Sequence, residues 1–308
     1  MANVAIPWID TVLSQFSDKL KQGLHGHAYL VGLDKGYGGN ELVLGMAKAL
    51  LCQKATPRGG CGFCKACLLF EANNHPDFYR IEADGYQIKV DQVRELCQQL
   101  TETAQQGGRR VAVLFSSERL NLAGANALLK TLEEPGKETV LLLQSDTPSR
   151  LMATISSRCQ RVKVALPTLQ AIRTWLADTL DVQQDVTWCL PVVGGPIALA
   201  QCIQAGQYDE LLRFRKAWAR SLARGRLSTE LMTLSEQQAL NAMSILYLVL
   251  KQKLVKQTDL NALIRMKIVD LAADIMQQYH QLKLMPNMNL AALFRAYIAD
   301  YQAIVKAE

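Results

Sequence analysis

Residues 110–135 read RVAVLFSSERLNLAGANALLKTLEEP, an apolar segment followed, after a short polar stretch, by a helical pattern. The run Val111–Phe115 is apolar throughout, as expected of a central strand that is buried on both faces of a sheet. In the helical part, Leu128 and Leu132 lie on one face, and Pro135 ends the pattern. A buried strand followed by an amphipathic helix indicates a parallel sheet with crossover helices.

The same alternation of strand and helix extends over the first half of the chain. The predicted strands are Ala28–Gly32, Asp77–Ile81, Arg110–Phe115, Thr139–Gln144 and Arg161–Val164. The predicted helices lie near residues 10–23, 38–51, 90–104 and 122–133. Strands that alternate with helices in this way predict an α/β domain with a parallel sheet.

The pattern changes at Pro167, after which almost every segment has helical periodicity. Thr168 is a suitable N-cap for a helix that runs to Leu180. The later predicted helices cover Ile197–Ala205, Ala239–Lys256, Leu260–Leu282 and Leu290–Val305. We therefore predict an α/β domain over residues 1–166, a small helical domain over 167–206 and a further helical domain over 207–308.

The composition is that of a folded protein with no membrane segment. Hydrophobic residues form 49% and charged residues 20% of the 308 positions, and the net charge is +6. That charge is compatible with a polyanionic partner but does not establish one. The N-terminus lacks a signal-peptide pattern, and no run of about 18 apolar residues occurs. We therefore expect a cytoplasmic protein whose eight cysteines are reduced.

Four clustered cysteines carry the strongest chemical signal, with the spacing C-x8-C-x2-C-x2-C: Cys52, Cys61, Cys64 and Cys67. Four thiolates close a tetrahedral zinc shell, and a shell with no open position is structural rather than catalytic. The alternatives are an iron–sulfur cluster and an accidental group of thiols. A ferredoxin-type run would have a further cysteine three residues later, followed by proline, whereas Leu68-Leu69-Phe70 follows here. We predict structural zinc.

A glycine-rich turn, GLDKGYGGN at residues 32–40, follows the first predicted strand. A working phosphate loop has the pattern G-x-x-x-x-G-K-S/T, in which backbone amides, the lysine and the hydroxyl bind phosphate and magnesium. Alignment on Gly38 puts Gly39 at the lysine position and Asn40 at the hydroxyl position. Lys35 lies before the turn, on the wrong side to substitute. The segment predicts the shape of a phosphate loop without its charge.

The acidic residues of an ATPase are missing as well. A magnesium-binding Asp and a second acidic residue should follow the strand that ends near Phe115. Phe115 and Ser116 occupy those positions, and Glu118 comes two residues later, where we expect it to point elsewhere. The two losses agree with each other, and together they predict that this chain binds no ATP.

The order and spacing of several motifs resemble the clamp-loader branch of the AAA+ ATPases over residues 1 to about 206. The matching segments are the cysteine cluster, His75-Pro76-Asp77, Asn126–Pro135 (NALLKTLEEP) and Ser157-Arg158-Cys159. Active members of the branch also carry an arginine in the lid, and Ile197 stands at that place here. Loss of the nucleotide-binding residues with retention of Arg158 resembles the delta-prime class of this branch.

The resemblance implies an AAA+-type α/β domain with a zinc knuckle, a helical lid and a helical collar, in a subunit of the DNA polymerase III clamp loader. It implies gamma/tau and delta subunits as partners, and contact with the sliding clamp and primer–template DNA through the complex. It also implies that Arg158 acts in trans on the ATP site of a gamma/tau neighbour. A guanidinium suits that role because it stays charged and can bridge phosphate oxygens.

Other functions remain open at this point. An active AAA+ ATPase of the same family with an atypical loop is the first, and Gly39 in place of lysine argues against it. A zinc-dependent nucleic-acid-binding protein acting alone is the second, and it would need a concentrated basic face, whereas Lys and Arg are spread along the chain. No pair of carboxylates in strand context predicts a polymerase active site, so a polymerase label would describe the holoenzyme.

Overall fold

The computed structural model describes residues 5–256, 261–284 and 289–306. These residues form two compact units. The first unit contains the chain up to Gln183 together with Gly195–Ile197. The second contains Gln184–Gly194 and the described residues from Ala198 onward. The division into three domains at residues 166 and 206 stays a prediction.

A parallel five-stranded sheet forms the centre of the first unit, in the spatial order β2-β3-β4-β1-β5. Its strands are β1 Ala28–Val31, β2 Phe78–Ile81, β3 Arg110–Leu114, β4 Thr139–Gln144 and β5 Gln160–Val162. The α/β prediction is confirmed, and β4 has the predicted bounds. The last strand lies at Gln160–Val162 rather than 161–164, because an edge strand extends only as far as its single neighbour β1 pairs with it.

Helix α1 precedes β1, helices α2 to α6 lie between successive strands, and α7 follows β5. Their bounds are α1 Pro7–Lys21, α2 Gly39–Leu51, α3 Lys65–Glu71, α4 Val90–Gln99, α5 Leu122–Glu133, α6 Ala153–Ser156 and α7 Leu169–Leu180. The Thr168 hydroxyl accepts a hydrogen bond from the Ala171 amide at 3.2 Å, which confirms the predicted N-cap of α7. The sequence did not predict α3. Its seven residues are too few for a clear period, and the cysteine spacing dominates there.

Helix α4 ends at Gln99, before the predicted residue 104. In the loop that follows, the buried carboxylate of Asp77 accepts hydrogen bonds from the backbone amides of Gln105 and Gln106 at 2.7 and 2.8 Å. The His75 ring accepts from the Asp77 amide at 3.1 Å, so this segment anchors the loop before β3.

The hydrophobic core of the first unit lies where the sheet meets α4 and α5. Strand residues such as Leu30 and Leu143 belong to one cluster with helix residues such as Leu128 and Leu132. Side chains alternate between the faces of a strand, and α2 packs against the sheet through the other set of strand residues. The same cluster contains Ile155 of α6 and Cys159, so the segment around residue 158 is fixed to the core.

The remaining helices are α8 Leu190–Val193, α9 Pro196–Gln204, α10 Tyr208–Arg224, α11 Glu236–Lys256, α12 Ala262–Leu284 and α13 Leu290–Val305. Helices α10 to α13 pack consecutively, and Trp218 is fully buried with its indole N–H bonded to the Ala242 carbonyl at 2.8 Å. The last predicted helix is confirmed. Leu260, the predicted start of α12, lies outside the described residues. Within the described ranges, no helix combines the length and apolarity that a membrane crossing needs.

Candidate functional site

The four predicted ligand sulfurs lie together, all within 4.8 Å of one another. The sulfurs of Cys52 and Cys64 are 3.8 Å apart, and those of Cys61 and Cys67 are 3.9 Å apart. Four sulfurs at 2.3 Å from one zinc ion form a tetrahedron with edges of about 3.8 Å. A cluster of several irons would push the thiolates further apart. The arrangement can therefore hold a single metal ion.

Local structure produces this arrangement. Cys52 ends α2, and Cys64 and Cys67 lie at the start of α3, so two helix ends direct three thiols to one point. The amides of Lys54 and Cys61 donate to the Cys52 sulfur at 3.3 and 3.2 Å, which orients this side chain. A Cβ at position 60 would lie 2.7 Å from the Cys67 sulfur, so only glycine keeps that side of the cluster open.

The thiols of the cluster differ in acidity. A hydrogen bond from the backbone of Phe63 is the main cause that lowers the pKa of Cys61 to about 6, so this group supplies a thiolate at neutral pH. Burial raises the pKa of Cys67 to about 12, and the neighbouring sulfurs oppose a second charge. A cation at the centre would remove that opposition, because every thiolate would then face a positive charge.

The glycine-rich turn has its amides already engaged. The Lys35 amide donates to the Asp146 carboxylate at 2.9 Å, and the Gly36 amide donates to the Asp34 carboxylate at 2.7 Å. The next three amides, at positions 37 to 39, donate to the carbonyls of Asp34 and Lys35. Two carboxylates of the chain thus accept hydrogen bonds that phosphate oxygens accept in a working loop.

The turn also approaches the preceding backbone closely at Gly39. A Cβ at Gly39 would lie 1.9 Å from the Leu33 carbonyl oxygen, a backbone atom that cannot easily move. A lysine at position 39 therefore has no space. Beside the turn, a Cβ at Gly38 would meet Ile9 and Ile197 methyl groups at 2.2 and 2.9 Å. Apolar atoms thus fill the space next to the loop.

Gln144 is a residue of this region that the sequence analysis missed. It is fully buried at the end of β4, where its side chain donates to the Leu33 carbonyl and accepts from the Ser116 amide, both at 2.9 Å. These bonds tie the turn to the end of β3. The sequence does contain a signal for this residue, because Gln144 is the polar residue at the end of the otherwise largely apolar run TVLLLQ.

The charge at this end of the sheet is negative. Burial raises the pKa of Asp34, and the carboxylates of Asp146 and Glu118 raise it further, against a hydrogen bond from the Gly36 amide. Glu118 itself accepts a hydrogen bond from the Ser145 hydroxyl at 2.7 Å. Lys35 offsets part of this charge, but a triphosphate would still have to approach three carboxylates without a lysine at position 39.

We expect the isolated chain to show no saturable ATP binding with a Kd below about 1 mM. That limit corresponds to a binding free energy of about −4 kcal/mol. The occupied amides and the carboxylates provide the reason. Isothermal calorimetry with magnesium–ATP measures this directly. Replacing Gly39 by Lys and Asn40 by Thr should lower stability without creating affinity, because the new side chain meets the Leu33 carbonyl. Micromolar binding by the wild-type chain would contradict the prediction.

Arg158 lies just after α6, on the surface of the first unit. Its Nε atom donates to Oε1 of Glu133 at 2.8 Å, and Nη2 donates to the same oxygen. Nη1 donates to the Thr154 carbonyl at 2.9 Å. The side chain keeps 36% of its surface exposed. The next residue, Cys159, is buried, and burial raises its pKa to about 11, which fits a packed neutral thiol.

The sheet, the glycine turn after β1 and the helical segments define a protein of the AAA+ class. The family described as DNA polymerase III, delta subunit, matches residues 9–168. The DNA polymerase III subunit delta' of Pseudomonas aeruginosa is 45% identical over 176 residues, which are 56% of this chain and 53% of that protein. The corresponding Haemophilus influenzae subunit is 34% identical over 236 residues, 75% of this chain and 71% of that protein.

These matches show that the chain belongs to the DNA polymerase III delta' family, which confirms the resemblance seen in the motifs. Among solved structures, a DNA polymerase III gamma subunit-related protein of Thermotoga maritima superposes with a TM-score of 0.53 at 18% identity. That match covers 93% of this chain and 98% of the other, and it supports the fold. The match to the Pseudomonas relative spans about half of that protein's length.

Proposed function

We propose that this chain is a non-hydrolysing subunit of the DNA polymerase III clamp loader. In this role it assembles with gamma/tau and delta subunits in the cytoplasm. The complex uses ATP bound by gamma/tau to open the sliding clamp and to close it on primer–template DNA. The chain itself has no active site and contributes as a subunit of the polymerase holoenzyme. Its Arg158 reaches into the ATP site of a gamma/tau neighbour.

The engaged turn carries this proposal. Its amides at positions 35–39 are all hydrogen-bonded within the chain, so the first unit keeps an AAA+ sheet while these five donors of the turn are already engaged. An AAA+ protein without a usable nucleotide site can still take part in ATP hydrolysis by presenting a residue to a neighbour. Arg158 fits that part, because it is partly exposed and fixed to the core on both sides.

Zinc is the metal that we assign to the four-cysteine cluster. Thiolate-only coordination with four ligands favours zinc, and the sulfur separations suit its bond length. The ion would be structural and would fasten the loop between α2 and α3. We further propose that residues 167–206 form a lid and residues 207–308 a collar that joins the complex.

Reconstitution tests the proposal. Mixed with gamma/tau and delta subunits, the chain should elute from gel filtration in one complex, and that complex should load a sliding clamp onto primed DNA. Omitting the chain should abolish loading. Failure to co-elute with gamma/tau at micromolar concentrations, or full loading activity without the chain, would contradict the proposal.

A further inference from the structure

The ion pair between Arg158 and Glu133 defines how the guanidinium is presented. An arginine side chain has five N–H donors, one on Nε and two on each terminal nitrogen. Glu133 accepts from Nε and Nη2, and the Thr154 carbonyl accepts from Nη1. One N–H on each terminal nitrogen therefore remains. Two such donors on one planar group are suited to two oxygens of a single phosphate.

Both partners of the pair are mounted on the same rigid core. Glu133 is the last residue of α5, directly after the fully buried Leu132. Arg158 lies between the buried residues Ile155 and Cys159. Leu132, Ile155 and Cys159 all belong to one hydrophobic cluster. Core packing therefore fixes the backbone positions from which the two side chains extend.

The location of Glu133 is unfavourable for a carboxylate on its own. The C-terminus of a helix carries partial negative charge, which opposes an acidic residue there by roughly 0.3–1 kcal/mol. An ordinary exposed ion pair also contributes little, about 0–1 kcal/mol. The presence of a carboxylate at position 133 is therefore not explained by helix stability. It is explained by the orientation that the carboxylate gives to the Arg158 guanidinium. Glu134, the next residue, is also exposed and has no described ion pair.

We propose that Glu133 is a positioning residue that holds the Arg158 guanidinium with two N–H donors turned outward, toward a phosphate group of the nucleotide in a neighbouring subunit. This inference rests on the proposed trans role of Arg158. The carboxylate does not touch the nucleotide; it removes rotational freedom from the guanidinium before the neighbour docks. Less ordering is then needed when the transition state forms.

The test uses the reconstituted complex and single-turnover ATP hydrolysis stimulated by clamp and primed DNA. The variant Glu133→Ala should lower the hydrolysis rate at that interface about 10-fold, a loss typical of misplacement rather than removal of a group. The KM for ATP should stay within about two-fold, since binding by the neighbour is largely independent of orientation. Glu133→Gln should fall between, because the amide oxygen can accept the same two hydrogen bonds but carries no charge. Glu134→Ala is the matched control and should behave as wild type.

The double variant separates positioning from other roles. With Arg158→Ala already present, Glu133→Ala should cause no further loss, because its effect acts through the arginine. Additive losses, or a normal rate for Glu133→Ala alongside a slow Arg158→Ala, would overturn this inference and leave the role of Arg158 intact. A normal rate for Arg158→Ala would overturn the proposed trans role and this inference with it.

Discussion

Replacing Arg158 by alanine is expected to lower ATP hydrolysis at one interface of the reconstituted clamp loader by about 10³–10⁵-fold, the contribution of arginine fingers in related phosphoryl-transfer enzymes. ATP binding by the neighbouring subunit should change little. The chain should still fold and enter the complex, because Arg158 is partly exposed and its bonds are to surface groups. Hydrolysis stimulated by clamp and DNA is the measurement, with assembly checked by gel filtration.

Two further variants sharpen this experiment. Arg158→Lys should restore little activity, because lysine keeps the charge but lacks the planar group that bridges phosphate oxygens. Arg150→Ala removes a nearby exposed arginine and serves as the matched control. The loss of ATP hydrolysis measured for the whole complex will be smaller if its other ATP sites hydrolyse independently of this one. Equal rates for wild type and Arg158→Ala in properly assembled complexes would show that Arg158 is a solvated surface residue.

The purified chain is expected to carry about one zinc ion per molecule, and the double change Cys61→Ser and Cys64→Ser should remove it completely. Without two of its four zinc ligands, the loop between α2 and α3 would lose the ion that holds it in place. Trypsin should then cut at the exposed residues Lys54 and Arg58. The melting temperature should fall by about 5–10 °C. Elemental analysis, limited proteolysis and thermal unfolding measure the three effects.

A cysteine outside the cluster provides the control. Cys97 is half-buried and accepts a hydrogen bond from the Thr131 hydroxyl at 3.2 Å, a bond that serine can also accept. The variant Cys97→Ser should therefore keep its zinc and its resistance to trypsin. The helices α10–α13 should stay folded in the cluster variant, since they belong to the second unit. Finding iron in the wild-type protein, or no metal under reducing conditions, would contradict the zinc assignment.

The parallel sheet was accessible to sequence reasoning because its strands carry strong local signals. β4 and α5 were predicted to the residue, since one is apolar throughout and the other has a clear helical period ended by proline. The end of α4 was predicted five residues too late. In the loop beyond it, Asp77 binds the amides of Gln105 and Gln106, and no periodicity in the sequence encodes that contact.

For the glycine-rich turn, the sequence was informative about what is missing and silent about what replaces it. Gly39 at the lysine position follows from alignment with the motif alone. The carboxylate of Asp146, which accepts from the Lys35 amide, is more than a hundred residues away along the chain. The methyl groups of Ile9 and Ile197 approach the turn from two other parts of the chain.

The sequence by itself determined the family, the ligand spacing of the cysteine cluster and the absence of nucleotide-binding residues, because each is a matter of residue type at short separation. Tertiary structure alone decided how the amides of the turn are engaged and which way Arg158 is held. Both depend on side chains brought together by core packing, such as Glu133 on α5 and Arg158 after α6, which lie 25 positions apart. The strength of a hydrogen bond changes over fractions of an ångström. The partners of these groups can therefore be identified only in the folded structure.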